Sequence, residues 1–248
     1  DEIIYVTDGR QQLHFRQFFA IYRRWKTTQL GATRLSHVWF GSILGEDGKP
    51  FKTRSGETVK LTELLDEAEE RAFAQVTEKS PEMAEVERRE VARIIGIGAV
   101  KYADLLPNRQ GDYVFCWDRM LSFQGNTAPY LQNAYVRIRS IFRRADESGL
   151  AVGESGPIAL AEAGELALAR KLLQFAEVVP AVLEDHRPNQ LANYLYELAI
   201  AFHGFYEGCP VMKSEGETRA SRLRLCALVA RVLKTGLGLL GIEVPERM

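Results

Sequence analysis

The sequence lacks the features that define disulfide frameworks, metal centres and membrane spans. Its 248 residues include only three cysteines and four histidines. The cysteines are odd in number and far apart, which excludes a disulfide framework and favours a reducing compartment, the cytoplasm. The histidines have no metal-ligand spacing, so we expect no bound metal. No apolar run approaches the roughly 18 to 20 residues of a transmembrane helix, which excludes a membrane span.

The sequence also lacks an excess of charge of either sign. Lysine and arginine number 32 and aspartate and glutamate 33, for a net charge of -1. Any nucleic-acid binding must therefore use local basic patches. No Gly-x-Ser-x-Gly motif is present, so nothing supports hydrolase chemistry. The chain opens at Asp1 without an initiator methionine, and strand-forming residues follow at once, so we expect it to be part of a longer protein.

The first 60 residues are predicted to form a short α/β segment. β-branched and aromatic residues at 3–7 predict a strand, apolar spacing at 13–22 predicts a helix, and a second apolar run at 36–44 predicts another strand. Two strands separated by one helix are typical of a parallel β-α-β unit. Because two strands cannot bury both faces of a sheet, we expect chain outside this sequence to complete it.

Beyond residue 60 the hydrophobic periodicity is helical. The Ser80-Pro81 pair predicts a helix start, and residues 112–117 predict a short strand or an edge segment. Further predicted helices cover 61–76, 130–144, 161–178, 190–206 and 218–239. The predicted fold class is mostly α, with a partial α/β segment of two strands followed by a helical bundle.

A glycine-bounded loop at 48–56 carries three cations. Lys49, Lys52 and Arg54, with hydroxyl groups between them, are residue types that neutralise charge on a transferring polyphosphate. The loop lacks the glycine spacing of a P-loop, and a basic turn of this kind is more often a solvated hairpin. The pattern alone leaves both interpretations open.

Polar residues follow the first predicted strand at its carboxyl end. Gln11, Gln12 and His14 stand where open α/β sheets bind ligands, and they suit a small polar substrate. The alternative is that Gln11 or Gln12 lies in the first helical turn and that His14 faces solvent or a backbone carbonyl.

Residues 126–144 combine a polar start, tyrosines and arginines on one predicted helix. Arg137 and Arg144 share a face at i, i+7, and Tyr130 and Asn133 lie near the amino end. Interleaved rings and guanidinium groups suit single-stranded RNA, whose bases stack on aromatic side chains while arginines meet phosphates. The alternative is a solvated arginine face on a bundle helix with the tyrosines in its core.

Five segments in this order resemble arginyl-tRNA synthetase, a class I aminoacyl-tRNA synthetase, almost end to end. They are IIYVTDGRQQLHF at 3–15, HVWFGSILGEDGKPFKTRSGETVKL at 37–61, IGIGAVKYADLLPNR at 95–109, NTAPYLQNAYVRIRSIF at 126–142 and GLGLLGIEVPERM at 236–248. The resemblance implies that residues 1–60 are the carboxyl-terminal fragment of a Rossmann-type catalytic domain. It also implies a helical connecting region at 61–124 and an anticodon-binding bundle at 125–248.

The resemblance also implies roles for individual residues. Gln11 matches the family's arginine-binding glutamine. The family's loop over the ATP phosphates, KMSKS in other class I synthetases, matches Lys52, Thr53, Arg54 and Ser55. Near the anticodon, the matching positions are Tyr130, Asn133, Arg137, Tyr206 and Met248. Asn133 departs from the tyrosine of many relatives, and the match is by neighbourhood alone for Arg137, Phe202, Tyr206 and Arg222.

The implied parent activity is ATP-dependent attachment of arginine to its tRNA. The implied partners are arginine tRNA, arginine and ATP, with Mg²⁺ in the parent enzyme, no DNA and no membrane, and we expect a cytoplasmic monomer. The family's HIGH motif would precede Asp1, so we expect this chain alone to form no adenylate. The alternatives are a tRNA-binding module without charging activity and a helical protein-interaction module whose arginine face meets acidic partners.

Overall fold

The computed structural model describes residues 1–25, 33–45, 47–49, 60–149 and 156–248. The described residues fall into two compact units, which we call the α/β unit and the helical unit. The α/β unit is drawn from Asp1–Thr58 and Pro107–Cys116, and the helical unit from Val59–Leu106 and Trp117–Met248. The predicted fold class is confirmed, because most of the chain is helical and the strands form small parallel sheets.

The α/β unit begins with the predicted strand, turn and helix. β1 (Glu2–Asp8) leads through a 3-10 turn (Gly9–Gln11) into α1 (Gln12–Trp25). β2 (Arg34–Phe40) then pairs with β1 in parallel along the full length of both strands. The predicted parallel β-α-β order is therefore confirmed.

The second apolar run, predicted as one strand, forms two. After β2, the residues of β3 (Ile43–Leu44) pair with β4 (Tyr113–Val114) in a separate parallel sheet. The division falls at Gly41, whose backbone N–H donates to the carbonyl of Arg109 at 2.8 Å. A Cβ at Gly41 would lie 2.5 Å from the carbonyl oxygen of Gly111, so this crossing segment can approach only a glycine.

Aromatic side chains hold α1 against the β1–β2 pair. The ring of Tyr5 on β1 lies 5.0 Å from that of Phe15, 6.0 Å from Phe18 and 5.7 Å from Phe19, measured between centroids. Phe15 also stacks on the imidazole of His37 in β2, at 4.3 Å. These contacts explain why the apolar spacing of α1 faces the strands.

The described part of the helical unit contains eight helices. They are α2 (Leu61–Lys79), α3 (Glu85–Leu105), α4 (Trp117–Met120), α5 (Ala128–Glu147), α6 (Ala163–Leu173), α7 (Phe175–Asp185), α8 (Pro188–Gly208) and α9 (Gly216–Leu239). Four of the predicted helices are confirmed by α2, α5, α8 and α9, which extend the predicted bounds by a few residues.

The helix start predicted at Pro81 is wrong. Ser80 instead ends α2, because its backbone N–H donates to the carbonyl of Val76 at 2.9 Å. Met83 then closes a turn by donating to the carbonyl of Ser80 at 3.1 Å. A serine-proline pair is compatible with either end of a helix, and here the backbone hydrogen bonds of α2 decide which end it marks.

The single helix predicted over 161–178 is two helices, α6 and α7. Gln174 donates its backbone N–H to the carbonyl of Leu172 instead of to the carbonyl four residues earlier, which ends α6. α7 then continues through Pro180 and ends at Asp185, just before His186, whose φ of 53° is left-handed.

The core of the helical unit is built around α5, α8 and α9. Thr127 caps α5, because its hydroxyl accepts the backbone N–H of Tyr130 at 3.3 Å. One face of α5 is almost fully buried, at Leu131, Ala134, Ile138, Ile141 and Ala145. Burial of that face leaves the polar and basic side chains of α5 along its other sides, where ligands can reach them.

A buried ion pair joins α6 to α9. The Nε of Arg222 lies 2.7 Å from the carboxylate of Glu165, and the two side chains are 10% and 3% exposed. The same guanidinium donates to the carbonyl of Pro210 at 3.1 Å and to the hydroxyl of Ser214 at 2.7 Å. Because Arg222 and Glu165 are both buried, removal of either charge would leave the other uncompensated.

Glu165→Ala is expected to lower the free energy of unfolding by about 3 to 5 kcal/mol, since it leaves the Arg222 charge buried without its carboxylate. Urea denaturation followed by circular dichroism measures the change. Glu147→Ala, at an exposed position, is the control and should stay within about 0.5 kcal/mol. A loss below about 1 kcal/mol for Glu165→Ala would contradict this role of the ion pair.

Helices α2 and α3 approach each other closely at a glycine. A Cβ at Gly96 would lie 2.6 Å from the backbone carbonyl oxygen of Ala68 and 2.8 Å from the backbone nitrogen of Glu69. Backbone atoms cannot move aside as a flexible side chain can. The absence of a side chain at Gly96 therefore permits the close packing of this helix pair.

Gly96→Ala is expected to destabilise the chain by about 1 to 3 kcal/mol, because the overpacking exceeds the gain in helix propensity. Gly204→Ala is the matched control, since nothing lies within 4 Å of a Cβ at that position on α8. The control should raise the stability by up to about 1 kcal/mol. Thermal unfolding measures the change in melting temperature of each variant, and equal changes in the two variants would refute the close contact at Gly96.

Candidate functional site

Four of the sequence-predicted residues meet where α5, α8 and the end of the chain come together. We call residues 240–248, which follow α9, the tail. A groove of about 570 Å³, the first groove, is lined there by Asn133, Arg137, Tyr206 and Met248 among others. The guanidinium carbon of Arg137 lies 5.6 Å from the ring centroid of Tyr206. The amide of Asn133 lies 3.8 Å from the sulfur of Met248.

Tyr130, the fifth of these residues, belongs to an aromatic cluster where α5 meets α8. Its ring lies 5.5 Å from that of Tyr196 and 5.1 Å from that of His203, and its hydroxyl is 3.1 Å from the Nδ1 of His203. Burial raises the pKa of Tyr130, whereas burial and the charge of Arg137 lower the pKa of His203. Both rings are therefore neutral at about pH 7 and lie near the permanent positive charge of Arg137.

Tyr196 and His203 are members of this cluster that sequence reasoning missed. They lie seven residues apart on α8, which places both on the helix face that meets Tyr130. This spacing was the one available signal, and it is also typical of ordinary core residues. The Nε2 of His203 is buried and has no hydrogen-bond partner among the described residues.

Glu246 fastens the tail to α5. Its carboxylate accepts hydrogen bonds from the Tyr135 hydroxyl at 3.0 Å and from the Nε of Arg139 at 2.7 Å. Its backbone carbonyl accepts from Arg143 at 2.9 Å. Partial burial alone would raise the pKa of Glu246, but the hydrogen bonds from Arg139 and Tyr135 outweigh it and lower that pKa. An ionised carboxylate thus holds the tail two residues before Met248.

A second group of contacts holds the tail near its start. Gln132 on α5 is fully buried, and its amide donates to the carbonyl of Ile94 on α3 at 3.2 Å and to the carbonyl of Glu243 at 2.9 Å. The carboxylate of Glu243 accepts from the Arg93 guanidinium at 3.1 and 3.2 Å. The tail is therefore fixed to two helices before it reaches the first groove.

The first groove is positively charged on balance. Its lining includes two glutamates, Glu82 and Glu87, and four arginines, which are Arg137, Arg143, Arg144 and Arg247. Arg137 and Arg144 are exposed and, among the described residues, take part in no ion pair. Arginines that have no carboxylate partner can meet phosphate groups of a ligand.

Phe202 and Arg222, which the family resemblance placed near the anticodon by neighbourhood, do not reach this surface. Phe202 is fully buried in the core of the helical unit. Arg222 is buried and bonded to Glu165, Pro210 and Ser214. Both side chains are used within the protein.

In the α/β unit, Gln11 lies at the predicted place. It ends the 3-10 turn that follows β1 and is exposed, at the carboxyl end of a parallel strand pair. Open α/β sheets bind ligands at that edge. Asp8 and Arg10 form an ion pair in the same turn, at 2.8 Å. The loop residues predicted to act on ATP lie outside the described residues, and they are Lys52, Thr53, Arg54 and Ser55.

Within the described residues, no three histidine, cysteine, aspartate or glutamate side chains cluster as metal ligands. Over the same ranges, no helix is both long and apolar enough to cross a membrane. The three cysteines carry free thiols, and burial raises the pKa of Cys226 to about 12. That thiol belongs to the core.

Two family models divide the chain between them. The model for the catalytic domain of class I tRNA synthetases (R) matches residues 1–117, and the model for the DALR anticodon binding domain matches residues 131–248. The second match spans most of α5, all of α6 to α9 and the tail, and it includes Asn133, Arg137, Tyr206 and Met248 of the first groove. The chain belongs to the arginyl-tRNA synthetase family.

Known arginyl-tRNA synthetases match the whole chain. The curated arginine–tRNA ligase of Laribacter hongkongensis is 55% identical over 248 residues, which is 100% of this chain and 42% of that protein. The solved arginyl-tRNA synthetase of Thermus thermophilus is 33% identical with a TM-score of 0.83, and that of Plasmodium falciparum 30% identical with 0.84. Each superposition covers 100% of this chain and 41% of the other. The chain thus spans under half the length of these synthetases.

Acid is expected to release the tail of this synthetase chain. The pKa of Glu246 is lower in the folded chain than in an unfolded one. Its hydrogen bonds therefore stabilise the folded chain fully above the ordinary glutamate pKa, and this stabilisation is lost as the pH falls through the folded-state pKa. The methyl resonance of Met248, followed by NMR from about pH 7 downward, should move toward its position in a disordered chain.

Glu246→Gln is the matched variant for this titration. It should show the released position of the Met248 resonance already at about pH 7 and should lack the titration step of the unchanged chain. Identical resonances in the two proteins at every pH would show that the Glu246 carboxylate does not hold the tail.

Proposed function

We propose that this chain is the part of an arginine–tRNA ligase that binds the tRNA anticodon and carries the loop over the ATP phosphates. The observation that carries the proposal is the meeting of Asn133, Arg137, Tyr206 and Met248 in the first groove. The match of residues 131–248 to an anticodon binding domain supports it. In this proposal, residues 1–60 end the catalytic domain, 61–124 connect, and 125–248 read the anticodon.

Anticodon binding would rest on stacking and on phosphate contacts. Tyr206 presents a ring with the Arg137 guanidinium 5.6 Å from its centroid, and the neutral ring of Tyr130 lies on the same helix as Arg137. Unpaired anticodon bases stack on such rings, and arginines meet the phosphates between them. Asn133 offers an amide that can donate to one base edge and accept from another. Met248 closes the groove with an adaptable apolar side chain.

The catalytic contribution would come from the α/β unit and the loop that follows it. Lys52 and Arg54 would neutralise charge on the ATP phosphates, with the hydroxyls of Thr53 and Ser55 as additional donors. Gln11, at the carboxyl end of β1, would donate and accept hydrogen bonds with the substrate arginine. Mg²⁺ bound with ATP in the parent enzyme would share the neutralisation of phosphate charge.

The remaining elements of the proposal concern partners and location. The ligands are arginine tRNA, arginine and ATP, without DNA or a membrane surface. The chain acts as a monomer in the cytoplasm, where its three free thiols stay reduced. Positioning of the tRNA by the helical unit is its main contribution to the reaction.

Arg137→Ala is expected to weaken binding of an arginine tRNA transcript about 10- to 100-fold, because a charge-assisted hydrogen bond to the ligand is worth about 1.5 to 3 kcal/mol. Fluorescence anisotropy at two salt concentrations measures the affinity. Arg170→Ala removes an exposed arginine that does not line the first groove and is the control, with an expected change below twofold.

A transcript with an altered anticodon completes the test. The unchanged chain should bind it about tenfold or more weakly than the normal transcript, since each lost hydrogen bond to a base edge leaves a group unpaired at a cost of about 1 to 3 kcal/mol. Arg137→Ala should weaken the binding of both transcripts by a similar factor, because phosphate contacts do not read bases. Equal affinity of the unchanged chain for both transcripts would contradict anticodon recognition by the first groove.

A further inference from the structure

The helical unit has a second groove, between α5 and α9. Its volume is about 520 Å³, and the described loop residues Gly156 and Ile158 contribute to its wall. The side chains of Tyr135 and Arg139, which bind Glu246 of the tail, also line this second groove. The following residues of the tail, Arg247 and Met248, line the first groove. The tail therefore lines the first groove and bonds to two side chains that line the second.

The second groove carries more positive charge than the first. One carboxylate, Asp146, lines it, together with five cations, which are Arg139, Arg143, Arg224, Arg231 and Lys234. Glu246 neutralises Arg139, at 2.7 Å. Arg231 and Lys234 are exposed on α9 and, among the described residues, form no ion pair. Their charge is available to an anionic ligand.

Arg224 is fixed in position at the edge of the second groove. Its guanidinium donates to the carbonyl of Pro157 at 2.7 Å and lies against Gly156, where a Cβ would be 2.5 Å from the guanidinium carbon. The Nε of Arg224 is buried and has no hydrogen-bond partner within the described residues. A rigid guanidinium loses little side-chain entropy when it binds phosphate.

The floor of the second groove is apolar. Phe142 and Ile158 are half-buried there, and Leu228 is 37% exposed. Cations around an apolar floor match a nucleotide chain, which offers phosphates at its edge and flat bases between them. Arg143 lines both grooves, so a strand bound in the first can continue into the second over this residue.

We propose that the second groove binds phosphodiester groups of the RNA strand whose anticodon occupies the first groove. Arg231 and Lys234 on α9 contact phosphates, and Arg224 supplies a fixed third cation. The inference rests on the proposed function, because it takes its ligand from there. Continuity through Arg143 favours RNA over the rival ligand, an acidic peptide.

The test uses the double variant Arg231→Ala with Lys234→Ala, measured against arginine tRNA over a range of salt concentrations. Log affinity falls as log salt rises, and each lost phosphate contact makes this slope less steep by about 0.7 to 0.9. The slope of the double variant should be less steep by about 1.4 to 1.8 than that of the unchanged chain. The double variant should also bind about 10-fold or more weakly at low salt. Its ratio of affinities for normal and altered anticodons should stay unchanged, because phosphate contacts do not read bases.

The matched control is Arg170→Ala with Lys213→Ala, which removes the same charge from exposed positions that line neither groove. If the double variant behaves like this control while the unchanged chain still discriminates anticodons, RNA binding by the second groove is refuted and the proposed function stands. Absence of tRNA binding by the unchanged chain overturns the proposed function and this inference with it. Binding of a glutamate-rich peptide to the unchanged chain but not to the double variant, with equal tRNA affinity in the two proteins, assigns the groove to acidic peptides and also refutes the proposal.

Discussion

The buried amide of Gln132 is the contact on which the arrangement of the helical unit depends. It lies within α5 and donates to Ile94 on α3 and to Glu243 in the tail, so three separate parts of the chain meet at one side chain. Space for the amide exists because Gly98 has no side chain, since a Cβ there would lie 2.9 Å from the amide nitrogen. A buried amide without these acceptors would cost about 1 to 3 kcal/mol, which ties the positions of α3 and the tail to that of α5.

The tail is therefore held in place by side chains of α3 and α5 and forms part of the wall of the first groove. From Glu243 it continues to Glu246, which Tyr135 and Arg139 hold, and on to Met248 in the first groove. The first groove takes its shape from these last residues as well as from the helices, and the second shares with the tail the side chains of Tyr135 and Arg139. A surface assembled before the ligand arrives loses less conformational entropy on binding, which favours affinity for a flexible RNA loop.

Local pattern predicted the helices well, because apolar residues at helical spacing are buried by whichever element packs on them. It failed where single backbone hydrogen bonds decide, as at Ser80 and Gln174. A ligand-binding role for Arg137 could be proposed from the residue pattern of its own helix. The roles of His203 and Glu246 could not, since their partners on α5 lie 73 and 107 positions away along the chain and no local spacing connects them.

Photo-crosslinking of an arginine tRNA that carries 4-thiouridine in its anticodon loop tests the first groove as the anticodon site most directly. Crosslinked peptides, identified by mass spectrometry, should contain residues 130–137, Tyr206 or the tail. The same experiment with Arg137→Ala should give fewer crosslinks at these positions, while Arg170→Ala should match the unchanged chain. Crosslinks confined to residues outside the helical unit would contradict anticodon binding by this surface.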